Sequence, residues 1–291
     1  MKSLITMVIM TLVSTIQGQH QGYTATRTES HKFLLSGKDD LDINVQHAHI
    51  TIQSWSKEYI QVNIKREVKH KSDKNKVEKE IEWSKCLIGK LNDEIRISNS
   101  VVLPKGIKEK PQCKHVTYLE IFMPKVEGVT IHLNIGSLVL INIKSKINFQ
   151  TKLSKITVNN CELLGDFIQT LGECNINNSS FNGNFTIVNI VLKLNNIMGK
   201  CELDATDSKI HLSNQKNNYI FQWQILRSEI NWRTSPSTLP DIKFNIIQTN
   251  INLPDFMKKQ QSKLQYILGN NSDNGIFNLT AQTSIINIYN H

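Results

Sequence analysis

The sequence predicts an all-β protein, a right-handed single-stranded β-solenoid with coils of about 18 residues, each built from two nine-residue halves. Three observations lead to this fold class. Large apolar residues recur every nine residues through the middle of the chain, asparagine recurs beside them at twice that spacing, and both flanks show alternating apolar and polar residues. Nine residues hold one short strand and a turn but no helix, so the repeat indicates stacked strands.

The nine-residue repeat consists of two apolar columns that lie two residues apart, which is the spacing of side chains on one face of a strand. The first column is Ile131, Leu140, Phe149, Val158, Phe167, Ile176, Phe185, Leu194, Leu203 and Leu212. The second column is Val129, Leu138, Ile147, Ile156, Gly165, Cys174, Gly183, Leu192, Cys201 and Ile210. Both columns are predicted to point into the interior, and a charged residue at Phe167 or Phe185 is expected to unfold its coil.

Asparagine marks one corner of every predicted coil, at Asn142, Asn160, Asn178, Asn196 and Asn214. Asparagine tolerates the left-handed backbone conformation that a tight corner needs, and stacked side-chain amides can bond to the copies above and below. The spacing therefore predicts a structural ladder, while a ligand-binding asparagine face remains the alternative. The right hand is predicted from the rule for parallel crossovers.

The amino terminus predicts export. Lys2 is followed by an apolar stretch from Leu4 to Val13 and then by small and polar residues up to Gly18. A membrane-spanning helix needs about 20 apolar residues, so this stretch is typical of a signal peptide spanning residues 1–18, with Gln19 as the first mature residue. The mature chain is predicted to be secreted, periplasmic or on the cell surface, and not transmembrane.

The remaining elements flank the repeat. Alternation predicts strands before it at Leu41–Gln46, His49–Trp55, Tyr59–Val68, Glu94–Ser98 and Val116–Met123, and a short helix between Lys69 and Lys90 carried by Val77, Ile81, Ser84 and Ile88. After the repeat, the period relaxes, with turns expected at Pro254–Gln265 and Gly269–Gly275. Residues 19–291 are predicted to form one elongated domain, with regular coils at about 129–214 and irregular flanks.

The five cysteines are interpreted in this exported context, where disulfides form readily. Cys86 and Cys113 flank a predicted strand and a Pro/Lys-containing loop, which makes them a candidate disulfide. Cys174 and Cys201 fall in the inward column and are predicted to be buried, inert thiols. The spacing of the cysteines and histidines does not indicate a structural zinc site.

The net charge of +9 bears on partners. Export and the lack of basic clusters interleaved with aromatic residues argue against nucleic acid. A basic surface outside the cell is expected to attract anionic glycans or envelope components, although solubility alone explains the charge equally well. The sequence predicts no cofactor, no metal and no catalytic residue.

Three segments resemble the bacterial putative-adhesin family: residues 41–65 (LDINVQHAHITIQSWSKEYIQVNIK), residues 119–143 (LEIFMPKVEGVTIHLNIGSLVLINI) and the ending FNLTAQTSIINIY. The resemblance covers roughly residues 33–289, although many repeat glycines of the family are replaced here by Asn, Ser or Lys. It implies a β-solenoid in an exported or envelope protein, and it carries no established catalytic residues.

The sequence therefore predicts an exported, non-catalytic, adhesin-like or envelope-associated interaction protein, with its ligand and oligomeric state left open. The alternative is a carbohydrate-active β-helix enzyme, a polysaccharide lyase or hydrolase. Such enzymes need paired carboxylates on one face, and Glu162 with Glu173 or Asp204 with Asp207 are the candidate pairs.

Overall fold

The computed structural model describes residues 14–19, 22–107, 109–215, 219–234, 241–254, 265–268 and 276–290. The described chain is all-β apart from one short helix, with both parallel and antiparallel strand pairs, which confirms the predicted fold class at this level. It divides into two compact units, residues 1–138 and residues 139–291. The prediction of a single domain over residues 19–291 stays a prediction.

The first unit contains seven strands and the start of an eighth among its described residues. They are β1 (Ser14–Gln19), β2 (Gly22–Leu34), β3 (Asp40–Ser54), β4 (Tyr59–His70), β5 (Ser84–Leu91), β6 (Glu94–Val101), β7 (Lys114–Met123) and β8 (Gly128–Ile141). Most of the predicted signal peptide lies outside the described residues. Its last part belongs to β1, which pairs antiparallel with the first half of β2.

The centre of the first unit is a sheet in the order β2, β4, β7, β3. β4 pairs antiparallel with β2 and with β7, and β7 pairs parallel with the second half of β3. Side chains alternate between the two faces of each strand, and the apolar residues occupy alternate positions, so one face of this sheet is apolar and buried. That face carries Ile50, Ile52, Ile60, Val62, Ile64, Leu119, Ile121 and Met123.

The two predicted strands Leu41–Gln46 and His49–Trp55 form the single strand β3, which changes partner at His47. This residue has a φ of 50° and bends the strand. Before the bend β3 pairs parallel with β6, and after it with β7. β5 completes this side as an antiparallel partner of β6.

The predicted helix is shorter than the apolar spacing indicates. Helix α1 spans Lys74–Glu80, and the side chain of Asp73 caps it by accepting a hydrogen bond from the Lys76 amide at 3.1 Å. Val77 and Ile81 are buried against Ala25 and Val68, whereas the third and fourth positions of the predicted helical stripe lie in β5.

The second unit consists of short strands that are mostly paired in parallel. They are β9 (Lys144–Asn159), β10 (Glu162–Thr206), β11 (Lys209–Ser213), β12 (Tyr219–Leu226), β13 (Glu229–Thr234), β14 (Asp241–Ile247), β15 (Asn250–Asn252), β16 (Gln265–Leu268), β17 (Ile276–Gln282) and β18 (Ile285–Asn290). β10 is long because its ladder continues through several left-handed corners.

The parallel pairing in the regular part is offset by two nine-residue repeats, which is the coil length that the asparagine spacing indicates. Cys174 lies opposite Ile156, and Leu192 lies opposite Ile210. Every residue of the first apolar column is buried. The predicted turns at Pro254–Gln265 and Gly269–Gly275 fall mainly outside the described residues.

The second apolar column departs from the prediction at its two glycines. Gly165 and Gly183 have φ values of 146° and 156°, and a Cβ atom on either would lie within 2.1 Å of a backbone oxygen of the preceding coil. The backbone therefore bulges there, and the nearby Phe181 is buried instead, with its ring centroid 4.6 Å from that of Phe167.

The end of the chain does not stack last. β17 and β18 pair in parallel with β12 and β13 on one side and with β14 and β15 on the other. The final strand pair thus lies between two strand pairs that precede it in sequence. β16 adds to β14 as an antiparallel partner.

Candidate binding face

The outward side of the β2–β4–β7–β3 sheet carries the most distinctive group of exposed side chains in the first unit. We call it the aromatic face. It comprises Thr28, Ser30, Lys32, His49, Thr51, Gln53, Trp55, Tyr59, Gln61, Asn63, Lys65, Tyr118, Glu120 and Phe122. These positions share one face because they alternate with the buried core residues of the same strands.

Three aromatic rings form a cluster at one end of the aromatic face. The ring of Trp55 stacks on Phe122 with centroids 5.3 Å apart, and it meets Tyr59 edge-on at 4.8 Å. The indole N–H of Trp55 donates to the carbonyl of Tyr59 at 2.9 Å, which holds the indole across the tight turn between β3 and β4. All three side chains are partly exposed. Fixed, partly exposed rings are typical of recognition surfaces.

A polar row crosses the sheet next to the ring cluster. Ser30, Asn63, Glu120 and Thr51 lie opposite one another on the four strands. The Ser30 hydroxyl donates to the side-chain oxygen of Asn63 at 2.8 Å, and the side-chain amide of Asn63 donates to the Glu120 carboxylate at 2.9 Å. The row therefore offers oriented donors and acceptors on an open surface.

A second aromatic group lies at the other end of the aromatic face. Tyr118 stacks on His49 with centroids 5.0 Å apart, and the ammonium of Lys65 lies 5.2 Å from the Tyr118 ring centre. A shallow groove of about 590 Å³ follows this part of the face. Phe122 and Tyr118 are four residues apart on β7, so the two aromatic groups are separated by about 13 Å along the strand.

Next to the Tyr118–His49 end of the aromatic face, Glu67 forms ion pairs with two lysines, Lys65 and Lys69. Burial would raise the pKa of Glu67, but hydrogen bonds and charge from Lys65 and Lys69 outweigh it and hold the pKa below its usual value. The Lys69 ammonium lies 2.7 Å from this carboxylate. These two lysines are therefore already compensated within the protein.

The asparagines predicted to form a ladder all lie at left-handed corners. Their φ values are 56°, 55°, 48°, 55° and 51° for Asn142, Asn160, Asn178, Asn196 and Asn214. The amide of Asn196 donates to the side-chain oxygen of Asn178 at 2.8 Å. A ladder that is continuous through all five side chains stays a prediction.

The cysteines occur as free thiols. Cys86 lies on β5 opposite Asn99, and Cys113 packs against the Val77–Ile81 cluster. The disulfide between them stays a prediction. Cys174 and Cys201 are buried as predicted, and burial raises the pKa of each to about 12. Thiols with such pKa values are protonated and unreactive at neutral pH.

Three of the four carboxylates considered for catalysis are paired with basic side chains. Glu162 pairs with Lys144 at 2.6 Å, and Glu173 pairs with Lys193 at 2.7 Å. Hydrogen bonding to Lys193 lowers the pKa of Glu173, and hydrogen bonding to Arg227 lowers the pKa of Asp207. A general acid at neutral pH needs the opposite shift. Asp204 lies on β10, before the corner that contains Asp207.

In the described ranges, no three His, Cys, Asp or Glu side chains are grouped so that they could hold a metal ion. Helices long and apolar enough to cross a bilayer are likewise absent from the part of the chain that the structure describes.

Sequence reasoning did not find the aromatic face. A signal was present, because Trp55, Tyr59, Tyr118 and Phe122 occupy the outward positions of alternating strands, where polar residues are the norm. Their proximity depends on the register between β4 and β7, which places Gln61 opposite Phe122. That register cannot be obtained from alternation alone.

Comparison with known proteins gives matches among solved structures. No family model and no curated protein matches the chain. A "putative cell adhesion protein" from Clostridium sporogenes is 14% identical, with coverage of 91% of this chain and 100% of that one, and a TM-score of 0.23. A "putative lipid binding protein" from Parabacteroides distasonis is 12% identical, with coverage of 90% and 96% and a TM-score of 0.37.

A "putative adhesin" from Bacteroides fragilis is 10% identical, with coverage of 90% of this chain and 97% of that one, and a TM-score of 0.26. Several of the matched structures thus carry the name of the family that the sequence resembles. These identities and TM-scores are low.

Proposed function

We propose that the chain is an exported, non-catalytic, adhesin-like protein that binds carbohydrate chains on the aromatic face. The observation that carries the proposal is the Trp55–Tyr59–Phe122 cluster, fixed on an outward sheet face beside a row of polar side chains. Sugar rings present C–H groups on their faces and hydroxyls at their edges. Rings flanked by amides and carboxylates suit both, because they combine apolar contact with hydrogen bonding.

The separation of the two aromatic groups supports a chain rather than a single sugar. The Trp55 cluster and the Tyr118–His49 pair lie on opposite sides of the polar row, about 13 Å apart along β7. A surface of this length suits an extended ligand that lies along the strands. The ion-paired carboxylates of the second unit support a binding function rather than hydrolysis or elimination.

Binding to an array of polysaccharides and matrix proteins at two salt concentrations tests this function. We expect saturable binding to a subset of glycans, and loss of that binding in Trp55→Ala and Phe122→Ala. Tyr289→Ala is a matched control, because Tyr289 is an exposed aromatic residue in the second unit. Circular dichroism checks that each variant is folded. Absence of glycan binding, or equal binding by the Trp55 variant, contradicts the proposal, and product release from a bound polysaccharide favours the enzyme.

Export is proposed from the sequence of the segment Met1–Gly18. The mass of the protein recovered from the medium or periplasm of a secreting host tests it, with a chain beginning at Gln19 expected. A recovered chain that retains Met1–Gly18 contradicts this part of the proposal.

The regular part of the second unit is proposed to wind as a right-handed β-solenoid. The two-repeat offset of its parallel pairs and the burial of both apolar columns at most positions support this architecture. Crystallography of the purified chain measures the hand directly, and a left-handed winding would contradict the proposal.

A further inference from the structure

Two lysine side chains converge on one ring of the aromatic face. The ammonium nitrogen of Lys57 lies 4.7 Å from the centre of the Trp55 ring and 5.7 Å from the centre of the Tyr59 ring. The ammonium of Lys32 lies 5.3 Å from the centre of the same Tyr59 ring. Lys57 comes from the turn after β3, and Lys32 comes from β2, whose pairing with β4 places it near Tyr59.

Neither of these lysines has a carboxylate partner among the described residues. Lys65 and Lys69 share Glu67, and other lysines of the chain are paired in the same way. Glu58 follows Lys57 in the turn and makes no ion pair with either lysine in the described part of the chain. Both ammonium groups lie beside the Tyr59 ring without a counter-ion, and an anion bound next to either of them is favoured by its charge.

We infer that the ligand is an acidic glycan, with a carboxylate or sulfate group bound beside the ammonium groups of Lys32 and Lys57 and the sugar ring against the neighbouring aromatic cluster. This inference rests on the proposed carbohydrate-binding function and names its ligand class. The apolar rings lie directly beside the two ammonium groups, which matches a sugar that has a C–H face and an anionic substituent. The neighbouring Asn63 and Glu120 hydrogen-bond hydroxyls of the next unit.

The test compares the affinity of the purified protein for four probes by titration calorimetry. The probes are polygalacturonate for carboxylates, chondroitin sulfate for sulfates, neutral cello-oligosaccharides, and vesicles containing phosphatidylglycerol. We expect acidic chains to bind more tightly than neutral ones, and the double variant Lys32→Gln/Lys57→Gln to bind them about tenfold more weakly. The salt dependence of the remaining binding should also fall.

Lys79→Gln is the matched control, because Lys79 also lies over an aromatic ring, 5.4 Å from the centre of Trp83, but outside the aromatic face. It should bind acidic glycans as the unsubstituted chain does.

Equal affinity for neutral and acidic glycans, unaffected by the double variant, overturns the inference and leaves the proposed function intact. Tighter lysine-dependent binding to the vesicles than to any glycan assigns the site to lipid headgroups and overturns the inference. If the protein binds none of the glycans, the proposed function itself is overturned.

Discussion

Buried hydroxyl groups stabilise the corners of the second unit at the scale of single residues. Ser179, which follows the corner residue Asn178, donates a hydrogen bond to the Asn177 carbonyl at 2.7 Å and accepts one from the Cys161 amide of the preceding coil at 3.1 Å. Ser208 and Ser228 make the same pair of contacts at the other corner. Each hydroxyl satisfies a buried N–H group that the corner would otherwise leave unpaired.

Removal of one corner hydroxyl should therefore destabilise the protein. Ser179→Ala leaves the Cys161 amide buried without its partner, which costs about 1–3 kcal/mol in the free energy of unfolding. Cys161 occupies the equivalent corner position, and its thiol contacts the Asn159 carbonyl at 3.2 Å, so Cys161→Ser should be tolerated. Urea unfolding of both variants measures the difference. If Ser179→Ala were as stable as the unsubstituted chain, the corner hydroxyl would contribute nothing.

A second left-handed column was not predicted, because three of its five residues do not favour that conformation. Ile135, Leu153, Leu171, Asn189 and Asp207 recur at the same two-repeat spacing as the corner asparagines, with φ between 51° and 64°. The sequence indicates a corner where asparagine repeats, but leucine carries no such signal. Stacking on the neighbouring coils imposes the conformation there, at a cost in backbone strain.

This strain can be relieved at an exposed position. Leu153 has a φ of 52° and is 49% exposed, so Leu153→Asn gives up little buried area. Because asparagine adopts this conformation more readily than leucine, we expect unfolding to require about 0.5–1 kcal/mol more free energy. Leu164→Asn is the control, since Leu164 is similarly exposed and has no left-handed φ. Thermal melts compare the two, and an equal effect would contradict the strain argument.

At the scale of elements, a single carboxylate attaches helix α1 to the segment before β7. Glu80 is buried and accepts hydrogen bonds from the amides of Gln112 and Cys113 and from the His115 ring. Burial alone would raise the pKa of Glu80, but these bonds outweigh it and lower the pKa. The helix is only seven residues long, so this attachment and the packing of Val77 decide whether it forms.

The attachment makes stability dependent on pH. Because the folded-state pKa of Glu80 lies below its unfolded value, its contribution is fully present above the unfolded value near 4.5 and is lost as the pH falls through the folded value. Glu80→Gln should lower the stability at pH 7 and flatten its decline between pH 5 and the folded pKa. Unfolding by urea across this range measures the slope. A variant with an unchanged slope would place the acid sensitivity in another group.

The elements also show how far the sequence predicted this fold. The apolar columns predicted most strands in the regular part of the second unit and the residues that they bury, because the parallel pairs repeat the same local environment. Residues such as Trp55 and Phe122 meet only through pairing of distant strands, so local alternation could not place them together. Gly165 and Gly183 were predicted to point inward, but close backbone contact between coils converts their positions into a bulge.

For the whole second unit, the order of strand pairs in space differs from their order in sequence. A nine-residue period specifies how strands follow one another along the chain, but not which finished coil each one stacks upon. β17 and β18 lie between β12–β13 and β14–β15, so the last residues of the chain fill an internal position. The 241–252 strands can therefore complete their parallel pairing only after the carboxy terminus has been placed.

This order predicts unequal effects of two matched core substitutions. Phe277 in β17 packs against Trp223 and Trp232 with ring centroids 4.8 and 5.2 Å apart, and its strand is paired on both sides. Phe277→Ala should cost about 3–5 kcal/mol, and Phe244→Ala in β14 should cost less, although both rings are buried. The reason is that the loss of Phe277 loosens two long parallel neighbours, β12 and β14, whereas β14 has only one such neighbour, β17, and the short antiparallel β16 on its other side.

Equilibrium unfolding monitored by tryptophan fluorescence distinguishes the two variants, because both tryptophans contact Phe277. A chain that ends at Gly275 extends the test, since it lacks β17 and β18 altogether. It should lose the folded structure of β12–β15 rather than only its terminal strands, and bind hydrophobic dyes. A truncated chain that keeps native fluorescence, together with a larger cost for Phe244→Ala, would show that the final strands lie at the end of the stack and stabilise only themselves.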